Sequence, residues 1–65
     1  MTKIQPRILV ADADPRMRRF LTSGLELDNF LAIEAAEGSE AIRLATLKSV
    51  DLVILEPALP DMDGS

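Results

Sequence analysis

The chain has 65 residues, of which 48% are hydrophobic, with no Cys, no His and a formal net charge of −4. That length allows one domain at most. The composition excludes a disulfide framework, a zinc finger, a thiol nucleophile and an imidazole base. The acidic balance argues against direct nucleic-acid binding by this segment, and no apolar run approaches the ~20 residues of a membrane span.

Ile8 to Ala11 is a continuous apolar run, the pattern of a strand covered on both faces, and it ends at Asp12. Asp14 and Pro15 then supply an N-cap and a proline at the first helical position, where a missing N–H does no harm. Met17, Phe20, Leu21, Gly24 and Leu25 follow at helical spacing. This predicts a helix with that stripe inward and Arg16, Arg18, Arg19, Thr22, Ser23 and Glu26 outward. Asp28 and Asn29 end it. Leu31 to Ala35 reads as a weaker strand, nearer an edge because Glu34 interrupts it. Gly38 and Ser39 open a second helix with Glu40 in its first turn, and Ala41, Ile42, Leu44, Ala45 and Leu47 form its apolar side. A turn over Lys48 to Asp51 leads into a third apolar strand, Leu52 to Leu55, read as buried, which delivers Glu56 into a Pro- and Gly-rich loop.

The order β-α-β-α-β with short connections predicts right-handed crossovers and a parallel sheet of order 2-1-3 with one helix on each face. The switch point then lies between strands 1 and 3, where open α/β sheets bind ligands at the carboxyl ends of the strands. Asp12 and Glu56 are both expected there, an acidic pair suited to a cation or a phosphoryl group. Nothing in this chain is expected to cover the outer edge of the third strand. The segment is therefore expected to be part of a larger protein or to pair with a second copy through that edge.

Three stretches carry a resemblance: Ile8 to Pro15, Glu34 to Ala41, and Asp51 to Gly64, the last with a hydrophobic strand, an acid, two residues, Leu59-Pro60 and then Met62-Asp63-Gly64. Together they resemble the receiver domain of two-component response regulators, over roughly its first half. The resemblance implies a flavodoxin-like fold, residues 1–65 forming a partial receiver-like domain, (βα)₂β. It also implies an aspartate phosphorylated at the end of strand 3, with Mg²⁺ held by a paired acid after strand 1. Hard oxygen ligands suit Mg²⁺, and phosphoryl transfer needs charge neutralised and oxygens positioned.

Carried over residue by residue, the pattern breaks twice. The acceptor position holds Glu56, and the second acid of the pair is replaced by Ala13, leaving Asp12. A lost anionic ligand weakens Mg²⁺ binding, and the extra methylene of Glu displaces the acceptor oxygen in a reaction sensitive to shifts of about 1 Å. The expectation is a non-phosphorylatable, cytoplasmic signalling module with no enzymatic activity, and residual, weak metal binding at Asp12 and Glu56. The backbone carbonyl of Ala58 would complete the family's metal site.

Partners expected are a histidine kinase, a phosphotransfer protein or an output domain. Arg16, Arg18 and Arg19 form the basic cluster that could dock one, though such a cluster also reads as a solvated helix face. Asp14 reads as an N-cap rather than a ligand. Two alternatives from other classes stand beside this one. One is a self-associating structural half-domain without ligand chemistry. The other is an aspartyl-nucleophile phosphatase suggested by Asp12-Ala13-Asp14, against which Arg16 stands where that motif needs Thr or Val.

Overall fold

Helices and strands alternate in the computed structural model, which describes residues 5–56, 59 and 61. The elements are β1 (Arg7–Ala11), α1 (Pro15–Leu27), β2 (Leu31–Ala35), α2 (Gly38–Lys48) and β3 (Leu52–Leu55). The three strands are parallel, in the order β2-β1-β3. Arg7 lies opposite Leu31 and Ala11 opposite Ala35 on one flank of β1, and Ile8 opposite Leu52 and Ala11 opposite Leu55 on the other. This is the flavodoxin-like half-domain order expected from the sequence.

The chain moves outward from β1 to β2, then back past β1 to β3. Right-handed crossovers in opposite directions put their helices on opposite faces. The side chains of β3 agree: Ile54 borders a hollow with Phe20, Leu21 and Leu25 of α1, whereas Val53 and Leu55 border one with Ala41, Ile42 and Ala45 of α2. The sheet is therefore the middle of three layers.

Local chemistry sets the helix ends. Asp14 is the N-cap of α1, its Oδ1 accepting from the Arg16 N–H at 2.9 Å, and Pro15 follows at the first position. Asn29, at φ 67°, turns the chain out of α1, and Ser49, at φ 54°, does so after α2. Asn tolerates this left-handed conformation better than most residues.

The core is built around β1. Leu9 and Val10 are fully inaccessible, and Leu9 packs with Ala11, Ala35, Ala41 and Leu59, flanked by Ile33, Leu44, Ala45 and Val50. Three expectations about burial need correction. β3 is no buried strand among the described residues: Leu52, Val53 and Leu55 remain 41% to 56% exposed, because β1 is the strand's neighbour on one flank and neither helix lies squarely over it. On α1, Met17 and Phe20 are exposed, whereas Thr22 is buried and Arg18 half-buried beside Leu21 and Leu25. Thr22 can be buried because its hydroxyl donates to the Arg19 carbonyl at 3.2 Å. On α2, Ala41 is buried and Ile42 and Leu47 are exposed. Among the described residues no helix is long and apolar enough to cross a membrane.

Candidate functional site

Asp12 is the first residue past β1. Its N–H continues the ladder to the Ala35 carbonyl at 3.0 Å, while the Glu56 N–H continues the other ladder to the Ala11 carbonyl at 2.9 Å. With Ala11 opposite Leu55, one further step of the register sets Asp12 beside Glu56 at the carboxyl edge of two neighbouring strands. Parallel strands lie about 4.8 Å apart, so both acids belong to the same edge of the sheet. This edge is the switch point, since the chain leaves β1 towards β2 on one side and β3 pairs on the other.

Each acid has a defined setting. Asp12 is buried, with 6% exposure. Its Oδ1 accepts from the Asp14 N–H at 2.9 Å, which closes a turn and fixes the carboxylate at the strand end. Glu56 is half-buried. Ala13 is exposed and brings no side-chain oxygen to the edge. Asp14 keeps its carboxylate on the Arg16 N–H and 3.9 Å from the Arg16 guanidinium, as a capping residue does. Among the described residues no three acidic side chains gather into a metal-holding cluster. The acids that follow the two neighbouring strands at this edge are Asp12 and Glu56. Ala58, whose carbonyl the family pattern would add, lies outside the described residues.

The three arginines of α1 separate into different environments. Arg18 turns inward, donating from Nε to Glu34 Oε1 at 2.8 Å and from Nη1 to the Asp12 carbonyl at 2.7 Å. Arg19 stands 3.6 Å from Glu34 Oε2 and is mostly exposed, and the Arg16 side chain is 95% exposed. Arg16 and Arg19 present charge outward, whereas Arg18 ties α1 to β2 and to the backbone of Asp12. Glu34, read from the sequence only as an interruption of β2, is the acid that both Arg18 and Arg19 meet.

A second acidic arrangement was not foreseen. Asp61 accepts from the Gly38 N–H at Oδ1 (2.6 Å) and from the Ser39 N–H at Oδ2 (2.8 Å), and Glu40 accepts from the Ala36 N–H at 3.0 Å. The Ser39 N–H, followed by that of Gly38, holds the Asp61 carboxyl below its ordinary value. Donors pointing at a carboxylate stabilise its charged form.

A parallel 2-1-3 sheet with Asp12 and Glu56 at the carboxyl ends of neighbouring strands defines a flavodoxin-like α/β half-domain. The chain belongs to the response regulator receiver domain family, whose model matches residues 8–65. It is similar to the transcriptional regulatory protein PrrA of Mycobacterium tuberculosis (strain ATCC 25618 / H37Rv), 39% identical over 59 residues, covering 91% of this chain and 25% of the relative. It is likewise similar to the transcriptional regulatory protein ResD of Bacillus subtilis (strain 168), 38% identical over 60 residues, covering 92% of this chain and 25% of ResD. The transcriptional regulatory protein SrrA of Staphylococcus aureus (strain NCTC 8325 / PS 47) is 40% identical over 57 residues, covering 88% of this chain and 24% of SrrA. The chain thus spans about a quarter of the length of these curated relatives.

Proposed function

We propose that this segment is a receiver-like signalling module that is not phosphorylated and works through protein–protein contact, without enzymatic activity. The observation that carries this reading is Glu56 beside Asp12 at the switch point, with Ala13 at the neighbouring position where the family pattern has an acid. Two carboxylates where the family pattern has three hold Mg²⁺ weakly, because an ion that keeps most of its waters depends on the few anionic ligands it gains. The longer Glu56 side chain occupies space where a phosphoryl group would sit. It carries one charge against the ~−2 of a phosphoryl group, so as a mimic of the modified state it is partial.

The module acts in the cytoplasm, away from membrane and nucleic acid, and exchanges signals with a histidine kinase, a phosphotransfer protein or an output domain. Support for a transcriptional output comes from the relatives' names as transcriptional regulatory proteins. Arg16 and Arg19, exposed at the start of α1 beside the site, are the side chains best placed to meet an acidic partner. Arg18 supports that surface from within through Glu34. Self-association through the outer edge of β3 belongs to the same reading, supported by four uncharged residues, Leu52 to Leu55, on an edge strand.

Incubation with a small-molecule phosphodonor and Mg²⁺, followed by intact-mass measurement, tests the proposal. The chain is expected to keep its mass. A stoichiometric phosphoryl adduct on Glu56 would overturn the reading.

A further inference from the structure

Helix α2 starts without a cap of its own. Glu37, at the N-cap position, makes no side-chain hydrogen bond to the first turn. The first N–H groups of a helix have no intrahelical acceptor and must find one elsewhere. Here the acceptor comes from across the molecule: both oxygens of Asp61 are taken by Gly38 and Ser39, 23 and 22 residues away in sequence. Two positions earlier Leu59 is 1% exposed and packs against Leu9, Ala11, Ala35 and Ala41. Leu59 and Asp61 are therefore both held to the α2 side, one as an apolar plug against Ala41 and the other as a bidentate carboxylate on the first turn.

We propose that Asp61 is a strap, a positioning residue that couples the carboxyl end of β3, where Glu56 stands, to the first turn of α2. An ionised carboxylate accepting two backbone N–H groups makes charge-assisted bonds, and the helix N-terminus favours its charge. Asp61 itself is exposed, so no apolar cover must be disrupted for the strap to open. Exposed contacts of this kind lie at the low-stability end of a fold, where a change at one site can bias a neighbouring element. A change of charge or occupancy beside Glu56 is then felt at the first turn of α2 through the Asp61 carboxylate. The strap is independent of whether Glu56 accepts a phosphoryl group, and its test reads α2, not a mass adduct.

Amide hydrogen exchange by NMR on the 65-residue chain decides the matter, with Asp61→Ala, Asp61→Asn, Glu56→Gln and the Glu56→Gln/Asp61→Ala pair. In Asp61→Ala the Gly38 and Ser39 amides are expected to exchange about five- to tenfold faster, the size of a lost helix cap, with Leu9 and Val10 unchanged. Asp61→Asn is expected to fall between, because its carbonyl oxygen remains as a neutral acceptor. Glu56→Gln is expected to shift the Gly38 and Ser39 resonances in the parent chain and to leave them unmoved when Asp61 is Ala. Unchanged exchange at Gly38 and Ser39, equal acceleration at Leu9, or a Glu56→Gln shift that survives loss of Asp61 would each overturn the strap. Should Asp61→Ala fail to fold, Asp61→Asn is judged by the same criteria.

Discussion

Asp12, Asp14 and Asp61 are all short acids beside helix or strand ends, yet they do different things because different backbone donors reach them. Asp14 takes the Arg16 N–H and starts α1. Asp14→Ala is expected to lower stability by about 1 kcal/mol, read from urea unfolding, the usual effect of a lost N-cap. Asp61 takes two N–H groups of α2 and its folded-state pKa lies below the ordinary 3.8. A depressed carboxylate contributes its full stabilisation above the unfolded value, and loses it as pH falls through the lower folded value. The Gly38 and Ser39 amide resonances should therefore stay flat from neutral pH down to about pH 4 and move only below it; movement near pH 6 would contradict this assignment. Asp12, Asp14 and Glu56 were legible in the sequence because strand ends and capping positions are local signals. Asp61 was not, since its partners lie 22 and 23 residues away and no local pattern links them.

Among the elements, β1 and α1 show what an apolar pattern can and cannot specify. A run of four apolar residues has one reading as a doubly covered strand, and Ile8 to Ala11 are indeed buried. The α1 stripe is wider than one contact face, so periodicity alone could not choose which flank meets the sheet. Arg18 and Thr22 settled it by finding polar partners in Glu34, the Asp12 carbonyl and the Arg19 carbonyl. The consequence is measurable. Phe20→Ser, at a position 72% exposed, is expected to change stability by no more than about 0.5 kcal/mol. Leu9→Ala, at the centre of the core cluster, should cost about 2–5 kcal/mol. A domain of this size has only about 3–10 kcal/mol in total, so Leu9→Ala should leave much of the population unfolded by circular dichroism at 25 °C.

For the molecule as a whole, the strand order and the meeting of two strand ends followed from sequence, since β-α-β-α-β with short connections leaves few topologies. The exposure of β3 did not, because an apolar strand reads the same whether its cover comes from within the chain or from elsewhere. With Leu52 to Leu55 uncharged along an edge, the chain is expected to sediment as more than a monomer at high concentration, and Val53→Lys, a charge on that edge, to disperse it. A wild-type monomer that stays folded would remove this part of the account.

The claim on which the functional reading rests is that Asp12 and Glu56 share one site, weakened for metal by Ala13. Mg²⁺ titration of the parent chain and of Ala13→Asp/Glu56→Asp, followed by the backbone amide resonances of residues 12 and 56, tests this most directly. The parent should respond weakly at millimolar Mg²⁺, and the double variant should gain affinity with residues 12 and 56 shifting together along one binding curve. A double variant that gains nothing, or that shifts one residue and leaves the other still, would contradict a common site.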